Sequence, residues 1–190
     1  MSNTKTSSHK TPAIFLDRDG TLIEDVGYMK SSNLIKWLPK VQDTLKIFVD
    51  NKYLLVVITN QSGIARGILT EKDVISIHTT MNEQILDRCG IVISKFYYCP
   101  HHPEAIIPKY RINCLCRKPG NLLFNKAIKE LNINLEKSIC IGDKITDLTA
   151  ANAAGIKKLF LLNNINNTKL PNTSYQYTSV NSWDEVQSKL

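Results

Sequence analysis

Apolar runs of strand length alternate with segments of helical periodicity along most of the chain. Branched and aromatic residues dominate five short runs and predict β-strands at residues 13–17, 53–60, 91–98, 137–143 and 157–162. Apolar residues recur at helical spacing in the segments between them, which predicts helices near residues 41–49, 70–89, 121–131 and 147–155. Strands that are apolar on both faces and separated by helices are typical of an α/β protein with a doubly wound, mainly parallel sheet.

Local signals define several boundaries of these elements. Thr70 can cap the helix at residues 70–89, with Asp73 three positions later as in a capping box, and Gly90 can end it. Residues 163–180 are polar, and we expect them to form a loop before a short final helix at residues 182–190.

The length and composition indicate one globular domain. The 190 residues are enough for a substantial core, and the composition is ordinary for a globular protein. Residues 1–11 are polar and lack the apolar segment of a secretory signal, so we expect a disordered tail followed by one domain over residues 12–190. The absence of an apolar run long enough for a membrane span favours a cytoplasmic protein without a membrane partner.

The net charge suggests an anionic partner. Lys and Arg number 24 against 17 Asp and Glu, a formal charge of +7, which suits nucleic acid, an anionic membrane surface or a phosphorylated metabolite. The basic residues are spread along the chain, and no recognition helix or aromatic stacking motif accompanies them. We therefore expect no nucleic-acid partner, although a zinc-bearing nucleic-acid-binding module remains a distant alternative.

Polar residues follow three of the predicted strands. Asp17 and Asp19 come at the end of the first strand, Thr59 near the end of the second, and Asp143 at the end of the fourth. Ligands of open α/β sheets bind at the carboxyl ends of the strands, so these side chains should converge on one crevice. Two carboxylates held so close indicate a metal site, an acid/base pair or both. The alternative is an ordinary turn at Asp19 and a solvated strand end at Asp17.

Three of the five cysteines and one of the four histidines lie close together in the sequence and suggest a metal site. Cys99, His101, Cys114 and Cys116 form a Cys-x-His and Cys-x-Cys set that is sufficient for one tetrahedral structural Zn²⁺. Buried or free thiols are the alternative. The loop at residues 99–116 shows no apolar periodicity, so we expect the metal to be its core.

Four motifs in order support a more specific hypothesis. They are "DRDGT" at residues 17–21, "TNQSGIARG" at 59–67, "CPHHPE" with "CLCRKP" at 99–104 and 114–119, and "GDKITDLTAA" at 142–151. Together they resemble the haloacid dehalogenase (HAD) superfamily of phosphatases, and more narrowly the D-glycero-D-manno-heptose 1,7-bisphosphate phosphatases. The resemblance covers residues 12–162. It implies a Rossmann-like HAD fold with little or no cap domain. We expect a monomer that acts on a small sugar bisphosphate.

The resemblance also implies a role for individual residues. Asp17 would be the nucleophile that forms an aspartyl phosphate, and Asp19 the general acid and base. Thr59 and Lys118 would contact the phosphoryl oxygens. Mg²⁺ would be held by Asp17, Asp143 and the backbone carbonyl of Asp19, and the zinc ligand would be His101 and not His102. The implied substrate-binding residues are Asp25, Val26, Gly27, Tyr28, Thr59, Asn60, Gln61, Ser62, Arg66, Arg117, Lys118 and Lys144.

Two phosphatase activities fit these motifs. The heptose enzyme would release the C7 phosphate and supply lipopolysaccharide core biosynthesis. The alternative is a related histidinol-phosphate phosphatase, since those enzymes share the zinc loop, residues 99–116. The neutral Ser62, followed by Arg66, suits a second phosphate, while an acidic residue at that position would suit the ammonium group of histidinol phosphate. The sequence therefore favours the bisphosphate.

Overall fold

Six parallel strands form a single sheet in the computed structural model, which describes residues 10–163 and 172–189. The spatial order of the strands is β3-β2-β1-β4-β5-β6. Their bounds are β1 Ala13–Leu16, β2 Leu54–Asn60, β3 Lys95–Cys99, β4 Ile139–Gly142, β5 Lys158–Leu162 and β6 Thr178–Val180. The order reverses direction between β1 and β4, and ligand crevices of doubly wound folds lie at such a switch point.

Helices cover both faces of the sheet. Their bounds are α1 Val41–Asp50, α2 Ser62–Ala65, α3 Glu71–Cys89, α4 Leu122–Glu130, α5 Ile145–Ala153 and α6 Trp183–Ser188. Helices α1, α3 and α6 pack on one face, and α4 and α5 on the other. Single 3-10 turns occur at Ser32–Leu34, Pro108–Tyr110 and Leu135–Lys137. This arrangement confirms the predicted doubly wound, Rossmann-like α/β fold.

The alternation of side chains along β1 divides the core into two layers. Ile14 and Leu16 pack with α1, α3 and α6, whereas Ala13 and Phe15 pack with α4 and α5. All four residues are buried, which explains why the run is apolar without alternation.

The predicted ends of α3 are confirmed. The Thr70 hydroxyl accepts a hydrogen bond from the backbone N–H of Asp73, and the Asp73 carboxylate accepts one from the backbone N–H of Thr70. Gly90 follows the helix in the left-handed conformation, with a φ of 68°.

Two strand predictions need correction. Strand β3 begins at Lys95, four residues after the start of the predicted run, because the side chain of Asn82 on α3 pairs with both backbone groups of Ile93. The expected loop at residues 163–180 contains β6, which pairs with β5 at the edge of the sheet. Residues 164–171 of this segment lie outside the described residues.

The folded part also begins earlier than expected. The backbone of Thr11 accepts a hydrogen bond from Asn134 and donates one to Asn132, although the predicted tail extended to residue 11. Residues 1–9 of that tail lie outside the described residues.

The segment between β1 and α1, residues 17–40, does not form a separate cap domain. It contains one 3-10 turn and the isolated bridges of Ile23 with Asp19 and Trp37, and within residues 10–163 and 172–189 no further folded unit stands over the sheet. The indole of Trp183 on α6 donates to the backbone oxygen of Thr21, which ties this segment to the core. None of the helices in these same ranges has the length and hydropathy needed to cross a membrane.

Candidate active site

A cleft of ≈ 540 Å³ opens at the carboxyl edge of the sheet, where β1, β2 and β4 end. Asp17 follows β1, Thr59 is the penultimate residue of β2, and Asp143 follows β4. The strands therefore bring together side chains that are distant in sequence. The residues lining the cleft are Asp17, Asp19, Asp25, Gly27, Tyr28, Thr59, Asn60, Gln61, Ser62, Gly63, Arg117, Lys118, Lys144, Thr146 and Asp147.

Lys118 is buried beneath the cleft and joins two carboxylates. Its Nζ lies 2.6 Å from Oδ1 of Asp17 and 2.7 Å from Oδ1 of Asp147, and it donates to the backbone oxygen of Ile58 at 2.6 Å. Burial opposes the charge of Lys118, but the carboxylates of Asp147 and Asp17 outweigh burial and raise its pKa. Lys118 is therefore a cation at neutral pH, and it fixes the orientation of Asp17.

Asn60 holds the backbone of this lysine. Its side-chain oxygen accepts from the backbone N–H of Lys118 at 3.0 Å, and its amide donates to the backbone oxygen of Lys118 at 3.2 Å. The amide group expected to contact substrate is thus engaged in positioning Lys118.

Three carboxylates crowd together at the same edge. Oxygen atoms of Asp17, Asp143 and Asp147 lie within 4.8 Å of one another. Burial, with repulsion from Asp17 and then Asp147, raises the pKa of Asp143 to about 7. Gly20 permits this crowding, since it has a φ of +80° and a Cβ there would lie 2.5 Å from Oδ2 of Asp143. A divalent cation that prefers oxygen ligands, such as Mg²⁺, fits this set and would relieve the repulsion.

Asp147 also has a second, structural contact. Its Oδ2 accepts from the backbone N–H of Lys144 at 3.0 Å, one residue before α5 begins at Ile145. This bond explains why α5 begins two residues before the predicted helix at residues 147–155.

Asp19 lines the cleft, and its carboxylate accepts several hydrogen bonds. Gln61 Nε2 donates to Oδ2 of Asp19 at 2.9 Å and also to the hydroxyl of Thr59 at 2.8 Å. The guanidinium of Arg18 donates to both carboxylate oxygens of Asp19. Burial outweighs the opposing charge of Arg18 and raises the pKa of Asp19. A carboxyl group with a raised pKa is suited to donate a proton near neutral pH.

The segment Asp25 to Tyr28 forms the rim of the cleft. Asp25 lies 3.4 Å from the Nζ of Lys144, which is itself 3.6 Å from Oδ2 of Asp143. Gly27 donates its backbone N–H to Oδ1 of Asp25 at 2.9 Å. Val26 is exposed and is not among the lining residues, so the structure gives it no contact with the cleft.

Two arginines adjoin the loop at residues 99–116. Arg117 directly follows Cys116, and Arg66 follows Ala65, whose backbone oxygen accepts hydrogen bonds from Ile106 and Ile107. Arg117 lines the cleft, whereas Arg66, another predicted substrate contact, does not. Burial and then the charges of Arg117 and Arg66 lower the pKa of His102. The Nη1 of Arg117 and the Nε of Arg66 are buried without a hydrogen-bond partner in the described part of the chain. Buried donors in proteins are nearly always paired, so this side of the cleft is suited to an anionic ligand.

A separate cluster of cysteines and a histidine lies beyond β3. The Sγ of Cys99 is 3.1 Å from that of Cys116, 3.6 Å from that of Cys114 and 3.7 Å from Nδ1 of His101. Two sulfur atoms on a tetrahedral zinc ion lie about 3.8 Å apart, so the cluster has the dimensions and donor atoms of such a site. His102 points elsewhere, and its Nδ1 accepts from the backbone N–H of Glu104 at 3.1 Å.

The loop at residues 99–116 also packs against helices α2 and α3, which its sequence did not suggest. Ala105 and Tyr110 are buried in a small apolar cluster with residues of α2 and α3. The hydroxyls of Tyr110 and Tyr98 donate to the two carboxylate oxygens of Glu71, at 2.6 and 2.8 Å. The expectation that metal alone forms the core of the loop is therefore wrong, because aromatic side chains also anchor it to α3.

Comparison with known proteins identifies the family. The chain is 43% identical over 150 residues to the D-glycero-beta-D-manno-heptose-1,7-bisphosphate 7-phosphatase of Haemophilus ducreyi, a match that covers 79% of this chain and 82% of that protein. It is 40% identical to the enzyme of the same name from Yersinia pestis, covering 78% and 79%. The chain belongs to the heptose-1,7-bisphosphate 7-phosphatase family. Members of this family are phosphoric monoester hydrolases, and residues 115–181 match the family described as HAD-hydrolase-like.

A solved structure shares the fold of this heptose-1,7-bisphosphate 7-phosphatase family member. The D,D-heptose 1,7-bisphosphate phosphatase of B. bronchiseptica, complexed with magnesium and phosphate, superposes with a TM-score of 0.80 at 24% identity. The superposition covers 94% of this chain and 99% of that chain.

Sequence reasoning missed several residues of the site in this family member. Gly63 and Thr146 line the cleft, although neither belonged to the predicted site. Arg18, which contacts Asp19, and His78, which contacts Arg18, were also absent from the predicted site. A usable signal existed for His78, since it is a polar residue beside the apolar stripe of α3 and is buried with it.

Proposed function

We propose that this protein is a Mg²⁺-dependent phosphatase that removes the C7 phosphate of D-glycero-beta-D-manno-heptose 1,7-bisphosphate and leaves the 1-phosphate. The observation that carries the proposal is the position of Asp17. It is held by buried Lys118, beside Asp143 and in the same cleft as Asp19. The relatives at 40–43% identity are named for this reaction.

The reaction would proceed in two displacements. A carboxylate oxygen of Asp17 attacks phosphorus, the bond from phosphorus to the C7 oxygen breaks, and Asp19 gives a proton to that departing oxygen. Asp19 then accepts a proton from water as the water oxygen attacks the phosphorus of the aspartyl phosphate. Inorganic phosphate leaves, and Asp17 returns to its carboxylate form.

The two metals would serve different purposes. Asp17, Asp143 and the backbone carbonyl of Asp19 would hold Mg²⁺, which when bound neutralises charge on the carboxylates and the transferring phosphoryl group. Zn²⁺ held by Cys99, His101, Cys114 and Cys116 would be structural. Because Arg117 and Lys118 directly follow Cys116, the zinc site would also fix the start of the segment that carries these two cations.

Other residues would bind the substrate around the reacting phosphate. Thr59 and Lys118 would contact the phosphoryl oxygens, and Lys144 with the rim segment Asp25 to Tyr28 would contact the sugar. The unpaired buried donors of Arg117 and Arg66 support a site for the second phosphate nearby. Arginine matches phosphate well because its planar fork can donate two parallel hydrogen bonds.

We further propose that the enzyme acts as a cytoplasmic monomer in the biosynthesis of the lipopolysaccharide core, without a nucleic-acid or membrane partner. The charge of +7 then serves an anionic metabolite.

A substrate panel tests the proposed function. Phosphate release should be measured with the heptose bisphosphate and with histidinol phosphate, each with Mg²⁺ and with EDTA. We expect the bisphosphate to be preferred by at least about 10²-fold in kcat/KM, since an unsatisfied charged contact costs a few kcal/mol. Ser62→Asp serves as the matched variant and should narrow the preference by attracting the ammonium group of histidinol phosphate. Equal efficiency on the two substrates would overturn the assignment.

A further inference from the structure

A buried polar chain runs from Asp19 away from the cleft and into the core beneath α3. Its members are Arg18, with 1% of its surface exposed, and His78, with 6% exposed. Neither lines the cleft, and the two-step reaction above gives neither a role. Burying a guanidinium is costly, and apolar residues of similar volume often serve as well or better when only packing is needed. The position of Arg18 therefore calls for a specific explanation.

The guanidinium of Arg18 is bonded in three directions. Its Nη2 lies 2.9 Å from both oxygens of Asp19, and its Nε lies 3.1 and 3.2 Å from them. Nη2 also donates to Oε1 of Gln61 at 3.0 Å, and Nη1 lies 3.4 Å from Nε2 of His78. Such a forked contact restricts the orientation of the Asp19 carboxylate more than a single hydrogen bond would.

The position of the His78 ring is fixed by its neighbours. Its imidazole stacks on the ring of Phe96 in β3, with centroids 4.3 Å apart and an angle of 14° between the planes. Burial, followed by the charge of Arg18, lowers the pKa of His78 to about 3, so the ring is neutral at physiological pH. A neutral imidazole can offer a lone pair on Nε2, which accepts from Nη1 of Arg18. The helix α3 and the strand β3 thereby set the position of the guanidinium.

We propose that His78 and Arg18 are positioning residues for the general acid, and that the chain His78–Arg18–Asp19 holds the Asp19 carboxylate toward the departing oxygen. This inference rests on the proposed function, in which Asp19 protonates the leaving group. Proton transfer depends on a geometry of a few tenths of an ångström, and a displacement of about 1 Å at a catalytic group can cost on the order of 10²-fold in rate. His78 would thus act on catalysis without touching the substrate.

We expect the loss of kcat/KM in variants that displace Asp19 to depend on the leaving group of the substrate. A sugar alkoxide is a poor leaving group and needs a proton, whereas nitrophenolate departs without one. Loss of positioning at Asp19 should therefore lower kcat/KM for the heptose bisphosphate and spare p-nitrophenyl phosphate, since kcat/KM reports the steps through the first departure. A change that merely loosened the fold or displaced Asp17 would lower both.

Three variants make the test. His78→Leu removes the acceptor and should lower kcat/KM for the heptose bisphosphate about 10-fold or more, with less than about a 2-fold effect on p-nitrophenyl phosphate. His78→Gln keeps an acceptor and should recover most of the loss. Met81→Leu, a conservative change elsewhere on the buried side of α3, should leave both substrates unaffected.

Asp19→Asn separates the inference from the proposed function. If this variant shows the selective loss but His78→Leu shows no loss, or an equal loss on both substrates, the positioning role is wrong and the proposed function stands. If Asp19→Asn shows no selective loss, the acid role of Asp19 fails, and the inference fails with it.

Discussion

Asp17 and Lys118 form the residue pair on which the chemistry depends. Their contact is buried and 2.6 Å long, so the lysine fixes the orientation of the carboxylate. The pair also brings the reacting carboxylate within 4.8 Å of Asp143 and Asp147, where a divalent cation would bind. The orientation of the nucleophile and the binding of a metal therefore depend on the same few atoms.

Asp17→Asn should abolish turnover and leave the fold intact. The amide keeps the shape of the side chain but cannot form the aspartyl phosphate, so we expect activity to fall by at least about 10³-fold. Beryllofluoride, which mimics an acyl phosphate, should protect the wild type and fail to bind the variant. Substantial activity in pure Asp17→Asn protein would rule out the covalent route.

Lys118→Met should lower both stability and activity. Removing one member of a buried ion pair leaves uncompensated charge, at a cost of about 3–5 kcal/mol. The double variant Lys118→Met/Asp147→Asn should recover part of the free energy of unfolding, measured with urea in EDTA, but none of the activity. If the single variant unfolds at the same urea concentration as the wild type, the electrostatic role of Lys118 is wrong.

Strands and helices were predictable where both faces of a strand are buried or where a helix carries its own capping residues. Strands β1 and β2 are covered on both faces and so appear as continuous apolar runs, and α3 carries its own capping signals. Strand β6 was missed because an edge strand of three residues, two of them polar, has no periodicity. The start of β3 was misplaced because Ile91 and Ile93 are buried in the core without being part of a strand.

The site residues that stand at the ends of the parallel strands were also predictable. Asp17, Thr59 and Asp143 stand at strand ends, so parallel topology alone brings them to one edge. Arg18 and His78 could not be joined from sequence, because their contact depends on how α3 packs over the sheet.

The zinc loop is the element whose stability should depend on a metal. Cys114→Ser should release zinc and lower the free energy of unfolding by at least about 2 kcal/mol, equivalent to about 4–8 °C in Tm. Because Tyr98 and Tyr110 still anchor the loop to Glu71, the sheet should stay folded. Cys89→Ser, a cysteine outside the cluster, is the matched control. Elemental analysis that finds no zinc in freshly purified wild type would contradict this prediction.

At the scale of the whole molecule, stability should be linked to Mg²⁺ and pH through the crowded carboxylates. The pKa of Asp143 is raised from an ordinary 3.8 to about 7 in the folded protein. Its contribution to stability is therefore fully present below pH 3.8 and is lost as the pH rises through about 7. Mg²⁺ should offset this loss, because it binds the ionised carboxylates.

We accordingly expect Mg²⁺ to raise Tm more at pH 8 than at pH 5.5. Thermal unfolding at both pH values, with Mg²⁺ and with EDTA, checks the prediction. Asp143→Asn lacks the charge and offers only a neutral amide oxygen, a weaker ligand for Mg²⁺, so its Tm should depend little on Mg²⁺ at either pH. A larger effect of Mg²⁺ at pH 5.5 would show that the ion does not bind at these carboxylates.

The proposed reaction hydrolyses the C7 phosphate ester, and the product shows directly which ester was cleaved. The heptose bisphosphate should be incubated with the Mg²⁺-loaded protein and followed by phosphorus NMR with proton coupling. We predict that the signal split by the two methylene protons at C7 disappears, that inorganic phosphate appears in equal amount, and that the signal split by the single anomeric proton remains. Loss of the anomeric phosphate first, or an unchanged spectrum, would contradict the proposed reaction.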